Sequence, residues 1–275
     1  MAPPISLAGR TVVVTGAASG MGRALAQRLG RQGCPVAAFD WDEDGLGETV
    51  EAIDGPVLAR RLDVRDRQAQ MAFAAEVAEW APAPIGAVFN NAGVTVAQTA
   101  TDASPEDDEW VMDVNLWGVV HGTRAYLPLL QRQGSGSIVN TSSVFGFAGF
   151  PTQGAYCASK AAVKGYTEAL RHELRGSAVG AICVHPGGVS TNIVRNARFH
   201  VDDRGNTDRS VLESDFDRIT RTSSGKAAAI IQRGVERGRD RILIGPDAYA
   251  LSALVRVAPV RYFDVIKRLE PLIRR

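Results

Sequence analysis

Residues 11–22 read TVVVTGAASGMG. A β-branched run passes without a spacer into a turn that carries Gly16, Gly20 and Gly22, and a stretch of helical period opens on it. The join is met by a strand that ends in a tight turn and hands the chain to a helix. Glycine takes positive φ there and lets main chain come close to a ligand. The helix N-terminus adds unpaired N–H groups and the positive end of its dipole. The turn therefore reads as a phosphate seat built from Gly16, Ser19, Gly20, Met21 and Gly22.

The same alternation continues along the chain. Strands are expected at 11–15, 35–40, 57–63, 85–90, 136–142, 181–185 and 241–245, and helices at 20–32, 43–53, 66–80, 105–132, 153–176 and 225–237. Short β-branched runs joined by long helical crossovers build a parallel sheet covered on both faces. The expected class is α/β, a doubly wound seven-stranded parallel sheet of Rossmann type. Connections stay short until about residue 196, so the 275 residues read as one domain.

Two regions depart from that rhythm. Residues 196–222 are polar and weakly periodic, and read as either a solvated loop or a substrate-loop insertion. Residues 246–275 form a C-terminal helical extension in two amphipathic pieces, the second with Tyr262, Val265, Ile266 and Leu269 on one stripe. That stripe is expected to pack on its own domain or on a sister subunit rather than on a membrane, since Asp264 and Glu270 dilute the basic face.

A net charge of +1 with both signs interspersed argues against a nucleic-acid partner. Cys34, Cys157 and Cys183 show no metal or disulfide spacing, and the four histidines none for a metal, so no metal is expected. With no signal-like or spanning run, the expected location is the cytoplasm.

Asp40 ends the second expected strand, about twenty residues past the glycines, where a carboxylate accepts the ribose hydroxyls of an adenosine and repels a 2′-phosphate. NAD is therefore expected over NADP. Asp40 as a helix cap is the plain alternative, and Arg23, in the first turn of the helix, keeps some NADP use open.

The chain then offers TGAASGMG, LDV at 62–64, NNAG at 90–93, Asn115 in DVNLWG, NTSS ending at Ser143, YCASK at 156–160 and HPGGVST at 185–191. Over about residues 9–195 this ordered set resembles the short-chain dehydrogenase/reductase family. The resemblance implies a catalytic set of Asn115, Ser143, Tyr156 and Lys160. It implies that Asp63 and Val64 flank the adenine, and that Asn90, Ala92 and Gly93 line the cofactor groove. It further implies that Pro186, Gly187, Val189 and Thr191 embrace the nicotinamide end, with Tyr156 and Lys160 also touching the cofactor. Family members commonly assemble as homodimers or homotetramers through the two long helices, here 105–132 and 153–176. Cys157 departs from the small residue usual at its position.

The chemistry agrees with the residue types. Oxidising a carbinol needs a base beside its hydroxyl. A free phenol, with a pKa of about 10, is about one part in a thousand ionised near neutrality, a deficit of roughly 4 kcal/mol. Lys160, one helical turn after Tyr156, lies on the same face and favours the phenolate. Ser143 can fix the substrate oxygen, and Asn115 is implied to open a water path to Lys160. Taken one by one, a strand-end cap, a buried polar tie and an exposed helix pair explain these residues equally well.

Phe145, Phe147 and Phe150, with Val94 to Val96 opposite, suggest a greasy pocket for a hydrophobic or cyclic secondary alcohol or ketone. Arg195, Arg198 and His200 are alternative receivers of a carboxylate. An NADPH-dependent carbonyl or β-ketoacyl reductase and a non-catalytic nucleotide-sensing protein are the rival readings.

Overall fold

A computed structural model describes residues 2–202, 205–208, 210, 214, 220 and 222–273, with no account of the side chains of 270–273. Seven parallel strands form the central sheet: β1 (Thr11–Thr15), β2 (Val36–Asp40), β3 (Val57–Arg61), β4 (Ile85–Asn90), β6 (Gly136–Thr141), β7 (Val179–Pro186) and β11 (Arg241–Ile244). Their order is β11-β7-β6-β4-β1-β2-β3. The expected strands are all present. β7 runs two residues further back than its sequence signal because Gly136 and Ser137 of β6 pair with Val179 and Gly180.

β-Branched side chains fill both faces. Val12 and Val14 of β1 enter the cluster with Leu25 and Leu29 of α1 (Gly20–Gly30) and Ile231 of α7 (Ser224–Glu236). Val13 enters the other, with Phe73 of α3 (Arg67–Trp80) and Tyr126 and Leu130 of α5 (Gly118–Gln133). A strand buried on both faces reads as an unbroken apolar run, which is why TVVVT shows no polar alternation. α2 (Glu43–Glu51) follows β2, and Asp42 caps it by accepting from Gly45 N–H.

The expected helix at 105–132 is interrupted. α4 (Pro105–Met112) passes through a π-turn, Asp113–Trp117, before α5 begins, and Gly118 N–H reaches back five residues to Asp113 O. α6 (Gly154–Glu173) follows a short 3₁₀ turn at Val144–Gly146.

Residues after 190 are bracketed by two small ladders. β5 (Val96–Ala97) pairs with β9 (Arg198–Phe199), and β8 (Val189–Ser190) pairs with β10 (Thr222–Ser223). Much of the polar stretch at 203–221 lies outside the described residues. The C-terminal extension forms α8 (Pro246–Val257) and α9 (Tyr262–Ile273). On α9, Tyr262, Val265 and Ile266 are half-buried whereas Leu269 is 45% exposed, so the apolar stripe is covered only over its first turns.

Candidate active site

The strand order reverses between β1 and β4, and the loops leaving their C-terminal ends meet over the gap, the usual crevice of such a sheet. Gly16, at φ 68°, passes so close to the β4 loop that a Cβ would lie 2.8 Å from Ala92 Cα, and a Cβ on Gly22 would lie 2.0 Å from Gly16 O. Thr15 braces the junction, its Oγ1 accepting from the N–H groups of Asn91 (3.0 Å) and Ala92 (2.9 Å). Ser19 precedes α1 in an extended conformation and its hydroxyl makes no capping bond, while the first turn of α1 carries no acid. Met21 packs its side chain against the core.

Gly20, Arg23, Thr191, Asn192 and Arg195 line a cleft of about 280 Å³, with Thr191 3.3 Å from where a Cβ of Gly20 would stand. A helix N-terminus with uncommitted donors, behind glycines that admit no side chain, fits a dinucleotide pyrophosphate.

Asp40, 9% exposed, ends β2, its Oδ2 accepting from Ala18 N–H (2.9 Å) and its Oδ1 from Asp42 N–H (3.1 Å). Burial raises its pKa and the two N–H groups oppose the rise. Arg23 does not act as a phosphate clamp in this arrangement: its guanidinium donates to Ala18 O (2.9 Å) and Gly45 O (3.1 Å) and pairs with Glu48 (2.8 Å). Asp63 is tied to Arg65 through its side chain (2.6 Å) and main chain (2.9 Å). Burial would raise the Asp63 pKa, yet the Arg65 bonds hold it below the ordinary range. Val64 is buried against the start of α5, where a Cβ on Gly118 would stand 2.8 Å from it.

Four residues expected to act together converge. Ser143 precedes the 3₁₀ turn, where its Oγ accepts from Phe145 N–H (3.2 Å), and its side chain acts on the Tyr156 phenol. Tyr156 is half-buried overall, but desolvation at its hydroxyl pushes the phenol up to about 12 against the pull of Ser143. Lys160, 2% exposed, donates from Nζ to Thr141 O (3.1 Å) and lies 5.6 Å from the centre of the Tyr156 ring. Burial lowers its ammonium to about 8.

Asn115 is fully buried in the π-turn: its Oδ1 accepts from Val94 N–H (2.8 Å), and its Nδ2 donates to Val94 O (2.9 Å) and Ser159 Oγ (3.0 Å). Gly93 joins the group, since a Cβ there would lie 3.1 Å from both Asn115 Oδ1 and Lys160 Nζ.

Several expectations change. Asn90 turns its side chain into the core, donating to Asn140 Oδ1 (2.8 Å) and Thr123 Oγ1 (3.3 Å), so that side chain belongs to the β4–β6–α5 packing and not to the groove. Phe147 leaves the pocket wall to lie 4.4 Å from the His185 ring and 4.3 Å from the Arg241 guanidinium. Arg198 and His200 do not await a carboxylate ligand, because both bind Asp107 of α4, at 2.6 and 2.7 Å. Phe145 stacks on Phe150 (4.4 Å) and meets the Tyr156 ring edge-on (5.9 Å). Val96, Met112 and Phe150 line a second cavity of about 800 Å³ together with Gln98, Asp108 and Asp202, and none of Asn115, Ser143, Tyr156 and Lys160 lines it.

Sequence reasoning missed two supports. His185 Nδ1 lies 3.2 Å from Ser143 O, and burial keeps the imidazole neutral with a pKa near 3. Asp247 of α8 accepts from Gly188 N–H (2.6 Å), and a Cβ on Gly187 would stand 2.0 Å from the same carboxylate.

A doubly wound sheet whose reversal point carries a glycine cradle, with serine, tyrosine and lysine beside it, defines a dinucleotide-binding oxidoreductase. Residues 10–201 match the family model described as short chain dehydrogenase, and the chain belongs to that family. A relative from Mycobacterium tuberculosis named putative oxidoreductase SadH is 41% identical over 264 residues, covering 94% of each chain. The ketoacyl reductase HetN of a Nostoc species is 34% identical over 188 residues, or 67% of this chain and 65% of that protein. Among solved structures, a short-chain dehydrogenase/reductase from Burkholderia phymatum in complex with NAD superimposes with a TM-score of 0.81 at 32% identity, covering 91% of this chain and 94% of the other.

Proposed function

We propose that this oxidoreductase interconverts a secondary alcohol and a ketone with NAD, using Tyr156 as the general acid and base. The observation that carries the reading is the convergence on one phenol: Ser143 draws its pKa down against burial while the buried Lys160 ammonium stands 5.6 Å from its ring. When bound, the dinucleotide supplies the acceptor or donor of the hydride.

In the oxidising direction Ser143 Oγ holds the substrate oxygen, and the Tyr156 phenolate takes the hydroxyl proton as the C–H electron pair departs. The Lys160 charge stabilises the phenolate, and the family resemblance assigns Asn115, in the π-turn, the opening of a water path to Lys160 by which the proton leaves. Reduction runs the same transfers backwards.

Asp40 and the committed Arg23 support NAD over NADP. Phe145, edge-on to the Tyr156 ring and stacked on Phe150, supports a hydrophobic or cyclic body, since apolar and aromatic side chains beside the reacting group are what such a substrate packs on. The family resemblance supports a homodimer or homotetramer, and three free thiols fit the cytoplasm. An NADPH-dependent ketoacyl reductase is the second reading, favoured by the name of the Nostoc relative and opposed by Asp40.

The test is a panel of alcohols and ketones assayed with each dinucleotide. Turnover of cyclic or long-chain secondary alcohols with NAD+ is expected. Preference for short hydrophilic polyols, or for NADPH with acyl thioesters, would replace this reading.

A further inference from the structure

Residues 246–269 add little to the core: Ala248 is the last fully buried residue among those described. Their contacts fall instead on the loops around the candidate site. Asp247 takes Gly188 N–H, as above. Ser252 of α8 accepts from Arg241 (2.8 Å), whose guanidinium covers Phe147; Phe147 covers His185, and His185 meets the Ser143 carbonyl. From α9, the Tyr262 hydroxyl donates to Gly149 O (3.0 Å) and accepts from Gly149 N–H (2.9 Å). Beside it Phe263 meets Phe150 edge-on (6.3 Å), and Phe150 and Phe145 carry the contact to the Tyr156 ring. Two ladders of side chains thus run from the C-terminal helices to the two groups that share the substrate oxygen.

The loop so held is under tension. Thr152 sits at φ 61°, a left-handed conformation that a β-branched residue keeps only where its surroundings impose it. It lies three residues past Gly149 and four before Tyr156, and its carbonyl is fixed by Gln98 N–H (3.0 Å).

We propose that the C-terminal helix pair is a positioning element for the Ser143–Phe150 loop, with Tyr262 as its positioning residue. The paired bonds to Gly149 hold the Phe145–Phe150 wall against the Tyr156 ring, and so set both the orientation of the phenol and the room left for the body of the substrate. This rests on Tyr156 being the proton-transfer group.

Tyr262→Phe keeps the ring and removes both bonds. Each net hydrogen bond is worth about two- to twelve-fold in an equilibrium, so kcat/KM for an alcohol substrate is expected to fall about fivefold or more. The fall should be steeper for a bulky alcohol than for a small one, with KM for NAD+ unchanged. Phe263→Ala is expected to act in the same direction and Phe263→Tyr to restore the wild-type ratio. Amides 144–150 should exchange hydrogen faster in Tyr262→Phe, a readout independent of turnover. A role in stability alone would reduce the amount of active enzyme and scale all substrates alike.

Unchanged exchange together with an unchanged bulky-to-small ratio in both variants would overturn the proposal while leaving the assignment of Tyr156 intact. Faster exchange in a protein that turns over no alcohol or ketone would instead sink the assignment of Tyr156, and the catalytic part of this proposal with it.

Discussion

Replacing Lys160 by Met should abolish turnover and yet stabilise the fold. The ammonium is 2% exposed, and burial lowers its pKa from an ordinary 10.5 to about 8. At about 1.36 kcal/mol per pH unit, that displacement means the native state holds the charged amine at a cost of about 3 kcal/mol at pH 7. Methionine fills a similar volume without the charge, but leaves the Thr141 carbonyl without its donor, a loss of about 1 kcal/mol. A net gain of about 2 kcal/mol is expected.

The sign in pH follows from proton counting. Between about pH 8 and about pH 10.5 the unfolded chain binds the proton and the native one does not, so the wild type gains stability relative to the variant as pH rises. Urea unfolding followed by tryptophan fluorescence checks this at pH 7 and pH 10, with the advantage of the variant shrinking to about nothing at the higher pH. A Lys160→Met protein less stable than wild type at pH 7, or an advantage that does not change with pH, would refute the electrostatic reasoning.

Asp40→Ala should narrow the preference for NAD+ over NADP+ by about tenfold or more, read as the ratio of kcat/KM values; an unchanged ratio removes the ribose argument. Alcohol oxidation should accelerate with pH, because the working base is a phenolate that burial disfavours while Ser143 pulls the other way. Ketone reduction should show the opposite slope, and a flat profile from about pH 6 to about pH 9 in both directions would contradict a titrating Tyr156.

The parts legible in the sequence are those where one local requirement fixes the residue type. The glycine turn is of this kind, since a Cβ at Gly16 or Gly22 meets main chain. So is the spacing of Tyr156 and Lys160, which a helix converts into one face. Residues whose partners come from far along the chain were not legible. Arg198 and His200 look like ligand-binding groups until Asp107, 91 and 93 residues earlier, is folded against them. Phe147 and Phe150 carry the same signal, but loop geometry sends one to His185 and the other to the cavity wall. The π-turn leaves no trace in hydrophobic period, since it is a bond from Gly118 N–H to Asp113 O, and only the family resemblance, through Asn115, points to a perturbed helix there.

Tyr156→Phe keeps the ring against Phe145 and removes only the hydroxyl that Ser143 addresses. With this variant, NADH binding by fluorescence and turnover of an alcohol active with wild type should separate, binding staying within about twofold and turnover falling by about 100-fold or more, the scale of a lost general base. Turnover close to wild type in a protein that lacks that one oxygen would contradict the account at its centre.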